Sequence, residues 1–154
     1  MPRSSRSFLF PDANVWIALT SERHIHHAVA AGWFANLGED ARLCFCRITQ
    51  LSLLRLLTTQ AVMGAEVMTQ PEAWHIYDRW LDDPRVVFLD EPMGLEQAFR
   101  SYSRRRSPAP KEWADAYLLG FAAVSGLRLV TFDLAFRGKA KSLLLLNSVA
   151  GHSP

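Results

Sequence analysis

Three aspartates, Asp12, Asp115 and Asp133, stand where an acid is hard to explain as ordinary surface. Asp12 and Asp133 each follow closely on a short apolar run, and Asp115 is the only acid in the segment from Trp113 to Val124. An ionised carboxylate carried into apolar surroundings costs several kcal/mol unless a cation, hydrogen-bond donors or water meets it. Converging carboxylates also repel one another, and a hard divalent cation with oxygen ligands relieves both penalties. Taken singly, Asp12 reads as a helix cap, Asp115 as an exposed helix residue and Asp133 as a turn residue. Taken together, their simplest common explanation is a shared Mg²⁺ or Mn²⁺. Glu112, three residues before Asp115, would lie on the same helix face and add negative charge there, or serve only the helix dipole.

The elements that must carry these acids alternate in type. Ser7 to Phe10 is apolar and stopped by Pro11, which reads as a buried strand ending just before Asp12. Val15 to Leu19 follows as a short helix capped by Asp12 or Asn14, and a second helix spans His24 to about Leu37. Arg42 to Cys46 reads as a strand, Leu51 to Leu57 as a helix capped by Thr49, and Pro71 to Leu81 as a helix begun by proline. A strand at Val86 to Leu89 and a helix from Gly94 to about Ser103 lead into the basic, proline-broken stretch 103–110. The rest reads as a helix from Lys111 to about Val124, a strand at Leu127 to Thr131 ahead of Asp133, and a last strand at Leu143 to Leu146. Such alternation predicts a parallel sheet covered on both faces, with ligands bound beyond the carboxyl ends of the strands. Asp12 and Asp133 then share one edge of the sheet.

Composition narrows the class without naming the chemistry. A chain of 154 residues, 49% hydrophobic and 21% charged, has room for one packed domain, expected over 1–154 with an ordered core at about 7–148. Seventeen Lys and Arg against fifteen Asp and Glu leave a net charge of +2, too small by itself to mark a nucleic-acid binder. Cys44 and Cys46, the only cysteines, would point to the same side of one strand, which excludes a disulfide framework and suggests core positions. No apolar run approaches the roughly 20 residues of a membrane span, so a cytoplasmic protein with no membrane partner is expected. No Ser/His or Cys/His constellation and no phosphate-cradling glycine motif stands out.

Four segments taken in order carry a more specific signal: FLFPDAN over residues 8–14, RITQLSLLR over 47–55, WADAY over 113–117 and TFD over 131–133. Over nearly the whole chain this pattern resembles the PIN-domain toxins of the VapC type, from bacterial toxin–antitoxin pairs. The resemblance implies a three-layer α/β/α fold with a central parallel sheet of five strands. It further implies a Mg²⁺ or Mn²⁺ site, cleavage of RNA, a homodimer and a VapB-like antitoxin. Carried over by position, Asp12 and Asp115 are direct metal ligands and Asp133 acts through water, with Asn14 and Thr131 orienting the neighbouring carboxylates. Gln50 departs from the pattern, since many relatives have glutamate there. A neutral amide binds Mg²⁺ more weakly and accepts no proton, which weakens the case for a second tightly held metal.

The remaining features are less specific. Arg104, Arg105, Arg106 and Lys111 lie just before the Asp115 helix, where they would hold phosphates or form a solvated loop. Arg55 lies a little over one turn beyond Gln50 and would face the site or pair with an acid. His24, His26 and His27 begin a helix and lack the further ligands of a closed zinc site, so they read as surface residues. Trp113 beside Asp115 is a candidate base-stacking platform, although tryptophans more often build core. The apolar stretch from Leu51 to Met68 suits a dimer or antitoxin surface, or internal packing. Two other functions fit parts of the pattern. One is a PIN-like domain that binds RNA or a partner without efficient turnover, suggested by Gln50. The other is a small-molecule phosphohydrolase, disfavoured because Asn14 breaks an Asp-x-Asp pair.

Overall fold

A computed structural model describes residues 7–147, and the polar ends lie outside them. The strands are β1 (Phe8–Pro11), β2 (Arg42–Phe45), β3 (Val86–Phe88), β4 (Arg128–Thr131) and β5 (Leu143–Leu145). Between them run the helices α1 (Ala13–Thr20), α2 (His27–Ala35), α3 (Arg47–Leu57), α4 (Gln60–Met63), α5 (Gln70–Leu81), α6 (Leu95–Tyr102) and α7 (Trp113–Ser125). Single 3₁₀ turns occupy Gly64–Glu66, Pro110–Glu112 and Leu134–Phe136.

All strand pairs are parallel, in the order β3-β2-β1-β4-β5. Successive strand residues alternate between two cores, because strand side chains point to opposite faces. Leu9, Leu43, Phe45, Val86 and Val130 join one core with α1, α3 and α5, where the Trp16 and Phe45 rings stack at 4.0 Å. Phe10, Cys44 and Leu129 join the other core with α6 and α7, where Phe10 stacks on Phe121 at 5.2 Å. Coverage on both faces explains why the strands are near-continuous apolar runs. It also places Cys46 beside Cys44 in the same core, both as free buried thiols.

The order of the strands fixes where a ligand can bind. From β1 the chain builds outward through β2 and β3 on one side, then returns to lay β4 and β5 on the other. The connections leaving the carboxyl ends of β1 and β4 therefore diverge, and a crevice opens between them. Asp12 follows β1, Thr131 ends β4 and Asp133 lies two residues beyond it, so two of the three acids stand at that crevice.

Several boundaries differ from expectation for local reasons. Helix α2 begins at His27 because the His26 backbone N–H donates to His24 Nδ1 at 3.1 Å, holding 24–26 in a turn. Cys46, rather than Thr49, caps α3, and the Thr49 hydroxyl reaches back to accept from the Cys46 backbone N–H at 3.0 Å. Thr49 is thus the third residue of the helix serving the cap. Helix α7 starts two residues later than expected, after the 3₁₀ turn at Pro110–Glu112.

Candidate active site

Asp12 continues β1 and caps α1 at once. Its backbone N–H donates to the Val130 carbonyl at 2.8 Å, which extends the β1–β4 pairing by one bond. Its Oδ1 accepts from Ala13 N–H at 2.7 Å, and its Oδ2 accepts from the Thr131 hydroxyl at 3.2 Å. Burial pushes this carboxyl from its ordinary 3.8 to about 6, the two hydrogen bonds oppose the rise, and the charges of Asp115 and Asp133 add to it. An acid so crowded has reason to attract a cation.

Thr131 is fully buried and is the hub of this edge. Besides donating to Asp12, its Oγ1 accepts from the Asp133 backbone N–H at 3.0 Å and from Asn14 Nδ2 at 3.3 Å. The Asn14 carbonyl Oδ1 in turn accepts from Phe132 N–H at 3.4 Å, so the start of α1 is tied to the end of β4. The exposed Asp133 caps the following 3₁₀ turn, its Oδ1 accepting from Ala135 N–H at 2.9 Å. One hydroxyl and one amide therefore fix the spacing between the Asp12 and Asp133 segments.

Asp115 enters from the first turn of α7. Burial raises its pKa most, the charge of Asp133 adds to this, Lys139 opposes it, and Glu112 raises it further. No donor among the described residues hydrogen-bonds its oxygens, so both stay free for a ligand. Asp12, Asp115 and Asp133 thus lie close enough to feel one another's charge. Among the described residues, however, no three His, Cys, Asp or Glu side chains converge tightly enough to cage an ion directly. Mg²⁺ keeps several waters and takes only one or two carboxylates directly, so it does not require a tighter cluster. With free oxygens on Asp115 and the raised pKa of Asp12, the donor set fits such a cation.

Other residues singled out in the sequence lie farther from the acids or have partners of their own. Gln50 is buried on α3, its Oε1 accepting from Arg47 Nη1 at 2.7 Å, and it also shares a hydrogen bond with Tyr77. Arg47 in turn lies over the Phe88 ring at 4.6 Å. Glu112 is half-buried and paired with Arg105 at 3.1 Å, while its charge reaches Asp115. Arg104, Arg106 and Lys111 are exposed around that pair. Arg55 faces a separate groove on α3 and α5, beside Leu51 and Trp74.

Two neighbours of the site escaped sequence reasoning. Lys139, in the loop before β5, sets its charge against Asp115. The His26 ring stacks on Phe132, the residue between Thr131 and Asp133, at 4.4 Å and 14°. Neither has a local sequence signal, because both reach the site only through the tertiary fold. The three histidines form no metal group among the described residues. His27 instead holds the Ala18 carbonyl through Nδ1 at 2.7 Å.

Comparison with known proteins is consistent with this geometry. The family model described as PIN domain matches residues 9–142. Ribonuclease VapC41 of Mycobacterium tuberculosis is 46% identical over 132 residues, covering 83% of this chain and 90% of that protein. Ribonuclease VapC39 of the same organism is 30% identical over 143 residues, covering 87% and 94% respectively. Among solved structures, VapBC2 from Rickettsia felis bound to a promoter DNA fragment superposes with a TM-score of 0.65 at 11% identity, covering 90% of this chain and 98% of that one. The sarcin-ricin loop cleaving toxin VapC20 of M. tuberculosis superposes with a TM-score of 0.59 at 16% identity, covering 82% and 88%.

Proposed function

The chain belongs to the PIN-domain family, and from that membership we propose that it is a metal-dependent endoribonuclease, the toxin of a VapBC-type toxin–antitoxin pair. What supports this reading is that Asp12, Asp115 and Asp133 lie near enough to act on one another's charge, in a chain whose relatives over most of its length are ribonucleases. Asp12 and Asp115 would hold Mg²⁺ or Mn²⁺ directly and Asp133 through water, and the ion would supply charge neutralisation at the scissile phosphate and activation of the attacking water.

The protein's own groups do the positioning. Thr131 and Ala13 N–H hold the two oxygens of Asp12, and Asn14 keeps the β4 turn, with Asp133, at a fixed distance from α1. Exposed Arg104, Arg106 and Lys111 offer charge to the flanking phosphates. In the reaction a water oxygen bonds to phosphorus as the bond to the 3′ oxygen breaks. The leaving oxygen takes a proton, and the products carry a 5′ phosphate and a 3′ hydroxyl.

Residues 1–154 are read as a single domain built on one sheet and its two cores. A VapB-like antitoxin and a second copy of the chain are the expected partners. Partly exposed Leu51, Val62, Val67 and Trp74 on and around α3 to α5 offer apolar area for one of them. Among the described residues no helix is long and apolar enough to cross a membrane, and a toxin that cuts RNA acts in the cytoplasm.

The test is expression and purification of wild type, Asp12→Ala and Asp115→Ala. Wild type is expected to arrest growth and to cut total RNA with Mg²⁺ or Mn²⁺ but not with EDTA, and both variants are expected to do neither. One observation favours a second reading: Gln50 occupies the position of a family acid and is held by Arg47. Wild-type protein that binds RNA yet cuts none with either metal would replace the nuclease by an RNA-binding domain.

A further inference from the structure

The first turn of α7 carries Asp115 inward and Trp113 outward. Trp113 is 60% exposed, a costly position for the largest apolar side chain, yet its ring is not loose. The Phe99 ring on α6 meets it edge-on at 6.1 Å and 79°. Phe99 can stand there because α6 and α7 approach very closely at Gly120, where an added Cβ would lie 2.9 Å from the Phe99 backbone nitrogen. The free indole face borders a cleft of about 410 Å³ lined by Tyr102, Arg105, Pro108, Pro110, Glu112 and Trp113. A cleft of that size falls in the range of small-ligand pockets. Its lining is aromatic and proline-rich, and the Arg105–Glu112 pair places a donor and an acceptor side by side in it.

The cleft adjoins the acids. Glu112 lines it, and one helical turn later Asp115 feels the Glu112 charge. Trp113 and Asp115 stand two positions apart on the first turn of α7, about 3 Å of rise, with their side chains on opposite sides of the helix. Exposed Arg104, Arg106 and Lys111, the chain neighbours of the lining residues Arg105 and Glu112, add charge suited to phosphates. A rigid exposed indole, hydrogen-bonding groups beside it and cationic chain neighbours are the parts of a subsite for an unpaired nucleobase.

We infer that the Trp113 cleft binds one unpaired base of the RNA next to the scissile phosphate, stacked on the indole and read at its edge by Arg105 and Glu112. This rests on the ribonuclease reading of the neighbouring acids. Stacking there sets the register in which the strand crosses Asp115, so Trp113 acts on substrate affinity and cut-site choice.

The test uses the full chain and a short single-stranded RNA carrying 2-aminopurine at successive positions, titrated in EDTA so that binding is separated from cleavage. At one position the probe's fluorescence is expected to be quenched by wild type. Trp113→Ala should abolish that quench and weaken binding by about 10- to 100-fold, with Trp113→Phe keeping most of both. With metal present, Trp113→Ala should raise KM and scatter the cut sites while lowering kcat little. Far-ultraviolet circular dichroism and melting temperature confirm that the variants fold. Binding, quench and cut pattern unchanged in folded Trp113→Ala would overturn the subsite and leave the nuclease standing. Wild type that shows the Trp113-dependent quench but cuts no RNA with either metal would overturn the nuclease and leave the subsite.

Discussion

Asparagine at position 12 should make the metal-free protein more stable while destroying its activity. Burial and the neighbouring acids hold the Asp12 carboxyl at about 6 rather than its ordinary 3.8. Below both values the group is neutral in the folded and the unfolded chain alike. As pH rises between them the unfolded chain gives up its proton first, so stability falls through that window, and the loss is complete above about pH 7. The gap corresponds to about 3 kcal/mol. Asparagine carries no charge and keeps an oxygen for Ala13 N–H, but it gives up the acceptor that meets the Thr131 hydroxyl, a loss of about 1 kcal/mol. The net gain of about 2 kcal/mol should raise the melting temperature at pH 7.5 by about 4–8 °C for a chain of this size. At pH 4.5 only about 1 kcal/mol of the penalty has developed, so wild type and Asp12→Asn should melt nearly together. Saturating Mg²⁺ should reverse the order at pH 7.5 by stabilising wild type alone. Thermal unfolding followed by circular dichroism, in EDTA and in Mg²⁺ at both pH values, measures all of this. Metal-free Asp12→Asn melting at or below wild type at pH 7.5 would refute the electrostatic reasoning.

The Thr131 hub gives a second prediction: Thr131→Val leaves the Asp133 N–H and one Asp12 oxygen without their partner, which should cost about 1–3 kcal/mol in urea unfolding and most of the RNA cleavage. Thr131→Ser should restore both, and a valine variant as active as wild type would show that the hydroxyl is dispensable. Gly120→Ala drives a methyl into the Phe99 backbone and should cost about 1–3 kcal/mol in the same assay, whereas an unchanged midpoint would mean that α6 yields freely. Burial pushes the Cys44 thiol up to about 12 and raises that of Cys46, so neither should react with a disulfide reagent at pH 8 until the protein unfolds. Rapid modification of the native protein would contradict that packing.

Much of the fold was legible because both of its periodicities are strong. Apolar runs of strand length alternate with helical segments, and a chain of that kind has few ways to bury its backbone other than a covered parallel sheet. The placement of Asp12 and Asp133 at one sheet edge followed from their positions after strands, and Asp115 drew notice as a lone acid in an apolar helix. The orientation of individual side chains was not legible. Nothing in the sequence required Gln50 to be taken up by Arg47 and Tyr77, since a glutamine at that helix position has several rotamers and the choice is made by packing against Phe88 and α5. Lys139 reaches Asp115, and His26 reaches Phe132, from segments whose paths depend on the finished sheet. The start of α2 moved to His27 because a histidine nitrogen competed for a backbone N–H, a local bond that hydrophobic periodicity does not register.

The proposed nuclease needs acids from separate segments to share one divalent ion. Mn²⁺ binding measured by the paramagnetic resonance signal of the free ion, for wild type, Asp12→Asn and Asp115→Asn at pH 7.5, tests this without any RNA. Wild type is expected to bind the ion, and each substitution alone is expected to weaken that binding at least about tenfold, since the two side chains are to serve the same ion. Unchanged Mn²⁺ affinity in either folded variant would contradict the shared site.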